Sequence, residues 1–465
     1  MDKKNFDLIV IGSGPGGYVA AIRGAQRGLK TALIEAGEMG GTCLNRGCIP
    51  SKTLIANAEV LRKVREAQSF GISCSGVGFD YAAMKERKDN VVNGIRKGLE
   101  GLIASNQITV FHGYGKFISP HEVKVTGQDN ELLEGRNIII ATGSEPRELP
   151  LIPFDHELVH DSTSMLNITK LPKKLFIVGG GVIGCEFACL HNAFDVDVTV
   201  FEVLPSLLAT EGKNVSQTMK TSFKKRGINV ELNAVIERFE KKDGRVWFHL
   251  ADGRSMDADM ALVSIGRKFN TDNIGLEKTG VIVEENGTIP VNAHMETNVP
   301  HIYAIGDVTG KWILAHVASH QGLIAADNAS GLHNEMHYNA VPSVIFTDPE
   351  VGTIGYTLER AIEAGYDATI GKFPFQALGK AQATQNTEGF AQIVVEKTTG
   401  QILGAQVVGY GASALIAEMA IAISNELTVE SIGDTIHAHP TIAEAWMEAA
   451  FMASDIPLHL PPRRQ

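Results

Sequence analysis

Cys43 and Cys48 lie in the run Gly41-Thr42-Cys43-Leu44-Asn45-Arg46-Gly47-Cys48-Ile49-Pro50-Ser51-Lys52, about thirty residues after a glycine-rich turn. Two thiols placed so close to a nucleotide-type turn point to thiol redox chemistry. Buried cysteines often serve as small hydrophobes, but plain packing does not require glycine, proline and lysine around them. An undistorted helix holds positions i and i+5 roughly 8 to 9 Å apart, beyond the roughly 4.4 to 6.8 Å between Cα atoms that a disulfide tolerates. The sequence therefore predicts a bend here. Gly47 opens unusual dihedrals just before the second cysteine, and Pro50 removes a backbone donor.

A thiol reaction needs a base. His437-Ala438-His439-Pro440-Thr441-Ile442-Ala443-Glu444 sets a carboxylate five residues after an imidazole, near enough to orient one ring nitrogen and stabilise its protonated form. Spacing does not choose between the two histidines, and structural histidines ahead of a helix would read the same way. The i,i+4 pairs His316/His320 and His333/His337 could each share a helix face, yet neither has a clear third ligand and Glu335 does not complete a zinc-protease pattern. No metal centre is predicted. Cys185 and Cys189 fall inside a helical stretch as packing residues, and Cys74 has no evident partner.

The elements that must position these groups are duplicated. Phe6 to Ile11 is a continuous apolar run leading into Gly12-Ser13-Gly14-Pro15-Gly16-Gly17 and then a helix-like stretch, Tyr18 to Arg27. Leu175 to Val178 leads likewise into Gly179-Gly180-Gly181-Val182-Ile183-Gly184 and a helix through His191. From Gly12 to Glu35 and from Gly179 to Glu202 is the same 23 residues, each acid standing at a strand end. Gly12, Gly14 and Gly17, like Gly179, Gly181 and Gly184, allow a tight turn, close approach to a pyrophosphate and close helix packing. Glu35 would accept a ribose hydroxyl, and Glu202, which suits a free 2′-hydroxyl and repels a 2′-phosphate, predicts NAD over NADP. Each half closes on an apolar strand with a small-residue turn, Ile138 to Gly143 and Leu262 to Gly266.

The fold class expected is α/β, with two doubly wound Rossmann-like nucleotide-binding domains at 1–148 and 149–268. A central segment, 269–340, ends an apolar strand on Ile305-Gly306-Asp307 and returns to the first domain. An α+β unit at 341–465 carries strands Gln392 to Glu396 and Ile402 to Val408 and a helix from Ala412 to Asn425. The 465 residues carry 42 basic against 53 acidic side chains, a net charge of −11 that argues against nucleic acid or an anionic membrane as partner. Five cysteines, an odd and sparse set, suit a reducing compartment. Only Met1 to Asn5 precede the first apolar run, so no targeting peptide is expected, and no apolar stretch reaches membrane-spanning length.

Gly40-Gly41-Thr42-Cys43 through Lys52, the two glycine sets, Ala304-Ile305-Gly306-Asp307 and His437-Ala438-His439-Pro440-Thr441 together resemble the flavin-dependent pyridine nucleotide-disulfide oxidoreductases over nearly the whole chain. The resemblance runs closest to the members that oxidise dihydrolipoamide. It implies FAD at the first nucleotide site, NAD at the second, a homodimer formed through the carboxy-terminal unit, and a cytoplasmic enzyme. Its partners would be lipoyl domains of 2-oxoacid dehydrogenase complexes or the glycine cleavage system. By motif, Cys43 would exchange with dihydrolipoamide and Cys48 would lie against the flavin as a thiolate. His439, oriented by Glu444 and brought from the opposite subunit, would act as base. Lys52 and Glu186 would pair near the flavin ring, Asp307 would hold the ribityl chain, and Thr142, Gly143, Gly266 and Ala315 would line the cofactor sites. The alternatives are a glutathione reductase, disfavoured by Glu202, a mercuric reductase, disfavoured because Ile456 to Gln465 lacks a cysteine pair, and a flavoprotein subunit that no longer turns over dithiols.

Overall fold

A computed structural model of the chain describes residues 3–461. Its contacts divide it into two units, one built from the chain up to Glu148 with Asp161–Lys170 and Ile265–His337, the other from Leu149–His160, Leu171–Ser264 and the chain from Tyr338 onward.

In the first unit the apolar run becomes the central strand Lys3–Ile11, flanked in parallel by Thr31–Glu35 and Glu131–Ile140. Thr109–His112 extends the sheet beyond Thr31–Glu35, and Ile302–Ala304 pairs in parallel with Glu131–Ile140. The antiparallel strands Glu122–Thr126 and Tyr114–Ser119 complete it. Strands buried on both faces read as unbroken apolar runs rather than alternating ones, as Leu8, Ile9 and Val10 do at 0% exposure. The register sets Ile11 opposite Ile34 and Ile140, and Ala304 opposite Ile140. One carboxyl edge therefore gathers the ends of these strands, the place where open α/β sheets hold ligands.

The second unit holds a parallel sheet in the order Asn229–Leu232, Asp197–Glu202, Lys174–Val178, Met260–Val263, Val159–His160. Val178 lies opposite Phe201 and Val263, which puts Gly179, Glu202 and Ser264 at its carboxyl edge. Three short antiparallel strands between Ile236 and Ala258 follow. The carboxy-terminal part is a five-stranded antiparallel sheet in the order Pro342–Ile345, Val351–Gly355, Ile402–Val408, Phe390–Glu396, Ala368–Pro374. The helices Ala412–Ser424 and Glu444–Ala453 close its core around Trp446, Met419 and Ile393. His316 and His320 fall in the helix Ala315–Ala329, but His333 and His337 lie in irregular chain, so the shared helix face read from their spacing does not exist. Asn334 is drawn instead into hydrogen bonds with Asn328 and Asp327, which hold the segment out of helical form.

Candidate active site

The two glycine sets repeat one another contact by contact. Gly12 has φ +100 and Gly179 φ +110, and a methyl group on either would meet the carbonyl oxygen of the neighbouring strand end, Ala141 or Ser264, at 2.4 Å in both cases. A methyl on Gly17 would meet the Gly12 oxygen at 1.9 Å, and one on Gly184 the Gly179 oxygen at 1.9 Å. Around the middle glycines, Gly14 and Gly181, nothing lies within 4 Å. These two residues begin the helices Pro15–Gln26 and Val182–Ala193, neither of which has a capping side chain or an acid in its first turn. Open space at a helix start with uncapped N–H groups and no negative side chain suits a pyrophosphate. The acids repeat as well. Glu35 accepts from Ser13 N at 2.8 Å and Gly37 N at 2.7 Å, while Glu202 accepts from Gly180 N at 2.6 Å and Leu204 N at 2.7 Å.

The thiol segment is built onto the first of these turns. Ser13, fully buried, donates its hydroxyl to Glu35 at 2.6 Å and accepts from Gly40 N at 3.0 Å. A methyl on Gly41 would meet the Gly14 Cα at 2.7 Å, so the backbones touch. The helix then breaks, Gly41–Arg46 ending at Gly47, with φ −141 and ψ −105, and Cys48–Glu66 starting directly after it. The bend foreseen from Gly47 brings the two sulfurs into hydrogen-bonding reach, and both are unbridged and partly exposed. The hydrogen bond with Cys48 and then burial push the Cys43 thiol up, with Lys52 opposing.

Around this turn the structure adds residues that spacing did not single out. Burial, followed by the Cys43 sulfur, raises the Tyr18 phenol. Arg267 donates to the Ser144 hydroxyl at 2.5 Å and to its carbonyl at 2.7 Å, and Ser144 donates to Asp307, which also lies 3.7 Å from Arg267. Burial lowers the guanidinium, while Asp307 and, more weakly, Cys48 raise it. Thr142 and Gly143 are clamped by Asn270, which takes the Thr142 hydroxyl at 2.7 Å and gives its N–H to the Gly143 carbonyl at 3.0 Å. Gly266 belongs to this unit, its carbonyl accepting Arg147 N at 3.0 Å. Ala315 begins a helix that crosses Pro15–Gln26 at Gly322 and Gly16. Only an unusual number of small residues in Ala315–Ala329 hinted at that crossing.

In the second unit the two histidines separate by burial. The His437 side chain is 5% exposed, and both ring nitrogens are engaged, by Thr435 O at 2.8 Å and Glu418 at 3.0 Å. The His439 ring is 76% exposed, with Nδ1 on Glu444 at 2.8 Å. Glu444 is fixed in turn by the Thr441 N–H at 2.9 Å. Glu186 is buried and accepts from Phe346 N at 2.9 Å. Cys185 and Cys189 are buried in the same helix, and Cys74 is exposed. Among the described residues no cluster of three or more metal-ligating side chains occurs, and no helix is long and apolar enough to cross a membrane.

Comparison with known proteins matches residues 6–322 to the pyridine nucleotide-disulphide oxidoreductases and residues 341–450 to the dimerisation domain of the same group. The chain belongs to this family. Curated relatives include the dihydrolipoyl dehydrogenases of Chlamydia pneumoniae, 53% identical with 99% of each chain covered, and of Geobacillus stearothermophilus, 41% identical with 98% and 97% covered. Among solved structures, LpdA from Mycobacterium tuberculosis superposes with a TM-score of 0.89 at 29% identity, covering 95% of this chain and 98% of that one. The HOCl-induced flavoprotein disulfide reductase RclA from Escherichia coli, as its Cu(II) complex, gives 0.88 at 29% identity, covering 97% and 99%. This oxidoreductase is thus an enzyme using FAD and NAD, and its dimerisation domain makes it a homodimer.

For an oxidoreductase of this family the glycine contacts set a sharp contrast. Gly184→Ala drives a methyl into backbone and is expected to abolish nucleotide binding or folding of its domain, whereas Gly181→Ala, which meets nothing, keeps the fold and weakens only the nucleotide. Thermal unfolding followed with and without NADH reads both outcomes, and equal behaviour of the two variants would contradict the cradle described here.

Proposed function

We propose that this enzyme is a dihydrolipoamide dehydrogenase, oxidising protein-bound dihydrolipoamide to lipoamide and reducing NAD to NADH, with lipoyl domains of 2-oxoacid dehydrogenase complexes or the glycine cleavage system as its partners in the cytoplasm. The observation that carries it is the thiol pair seated on the first glycine turn, with the second turn repeating the same cradle. In the oxidised protein Cys43 and Cys48 share a disulfide. One substrate thiolate attacks Cys43, the Cys43–Cys48 bond breaks and Cys48 leaves as a thiolate. His439 takes the proton of the second substrate thiol, whose sulfur attacks the substrate sulfur of the mixed disulfide; the lipoamide ring closes, the bond to Cys43 breaks, and the proton passes from His439 to the released Cys43 sulfur. Glu444, by holding Nδ1–H, fixes the tautomer whose Nε2 accepts.

A bound FAD would supply two-electron chemistry between the thiol pair and NAD. Gly12, Gly14 and Gly17 would carry its pyrophosphate, Glu35 its ribose, and Asp307, braced by Ser144 and Arg267, its ribityl chain. Thr142, Gly143, Gly266 and Ala315 would border it, and Gly179, Gly181, Gly184 and Glu202 would serve NAD. Lys52 and Glu186 keep their family assignment beside the flavin as part of this proposal.

Anaerobic titration of the purified protein with dihydrolipoamide tests the reading. A long-wavelength thiolate band should grow, and NADH should form when NAD is added; a spectrum that does not respond to the dithiol would refute it. Coenzyme choice is a separate expectation. The enzyme should favour NAD over NADP by roughly 100-fold in kcat/KM, ~2.7 kcal/mol. Replacing Glu202 by a small residue beside an introduced arginine should move preference towards NADP, and an unmoved ratio would remove Glu202 from that role.

A further inference from the structure

The helix Glu444–Ala453 carries a second carboxylate that the chemistry above does not use. Glu448 stands one turn beyond Glu444, on the same face, and is 2% exposed. A buried carboxylate is costly without partners. This one has His459 Nδ1 at 2.6 Å and the His459 main-chain N–H at 3.4 Å. His459 reaches it because the chain folds back after the helix, with Ile456 N donating to Phe451 O at 3.0 Å and Leu460 packed against the apolar core. The imidazole itself is 70% exposed in the single chain. Glu444 and Glu448 are therefore held alike, each accepting one ring nitrogen and one backbone N–H.

The charges around this face are few. The hydrogen bond and charge of Glu448, then the charge of Glu444, hold the His459 imidazole above its ordinary value. Partial burial pulls the Glu444 carboxyl up, but Thr441 N–H, His439 and His459 together bring it below the usual carboxylate range. On the strand beneath, Gly371 faces the helix, where a methyl would meet Ala449 O at 1.9 Å, so Lys372 points to the opposite face, over the Phe390 ring. From Val429–Asp434, Glu430 turns towards Gly400, Asp434 is exposed, and His437 is closed on Glu418.

We propose that His459, held by Glu448, is a positioning residue for the His439 base, an inference that rests on the assignment of His439 made above. Protonated, it draws on the same Glu444 carboxylate that stabilises protonated His439. It thereby keeps His439 free to accept a proton at lower pH than Glu444 alone would allow. His459→Gln keeps a donor near Glu448 and removes the charge; His459→Lys keeps the charge.

In the holoenzyme, the acid limb of kcat/KM for dihydrolipoamide should move up by about 0.5 pH unit in His459→Gln, a ~3-fold loss on the acid side. In His459→Lys it should return to the parental position. Flavin content and dimer are measured alongside, with His439→Gln as the reference. A His459→Gln profile superimposed on the parent, while His439→Gln loses activity, would overturn the inference and leave the base assignment standing. Full activity in His439→Gln would overturn the base assignment, and the inference with it. Loss of flavin or dimer in both His459 variants would reduce the residue to a fold element, which also defeats the proposal.

Discussion

Cys43→Ser retains its flavin and loses dihydrolipoamide oxidation by ~10⁴-fold or more. The two halves of this expectation rest on different atoms. The cradle is made of Gly12, Gly14, Gly17 and the buried Ser13, none of which depends on the Cys43 side chain. Thiol exchange depends on it entirely, because a serine hydroxyl neither exchanges with a disulfide nor ionises at neutral pH. The check is a flavin absorbance spectrum beside a steady-state assay of NADH formation. Parental turnover in the serine variant would remove Cys43 from the reaction, and loss of flavin would show that the thiol segment and the cradle are less separable than their contacts indicate.

His439→Gln is expected to lose about 10²- to 10⁴-fold in kcat/KM for dihydrolipoamide at neutral pH. Glutamine preserves a donor towards Glu444 but offers no nitrogen able to take up a proton. Electron flow from NADH to an artificial acceptor, which involves no substrate thiol, should stay near the parental rate. Glu444→Gln should lose less, on the order of 10-fold, since its one oxygen still accepts Nδ1–H while the charge and the second acceptor, which holds the Thr441 N–H, are given up. Comparing the two assays for each variant separates a missing base from a damaged protein. A deficit of similar size in both would argue that His439 supports the fold.

Much of this site was legible in the sequence because its rules are local. A glycine that must take φ +100, a strand-end acid 23 residues on, and a glycine that breaks a helix between two cysteines all announce themselves within a short window. What was not legible depends on tertiary burial. His437 and His439 are equivalent on paper and differ only because one ring is enclosed by Thr435 and Glu418. Arg267 and Ser144 are ordinary residues until the chain brings Ile265–His337 beside the end of Glu131–Ile140. The i,i+4 spacing of His333 and His337 left a helix face and a plain surface position both open, and both lie exposed in irregular chain, with Asn334 hydrogen-bonded to Asn328 and Asp327.

The contact of Gly41 with Gly14, and the Ser13 hydroxyl bound by Gly40, leave no slack between the sulfurs and the place where a nucleotide would be gripped. The spacing between the thiols and a bound nucleotide would thus be set by a few adjoining peptide planes rather than by how remote segments happen to sway. Breathing elsewhere would slow the arrival of a partner or the escape of a product without altering that spacing.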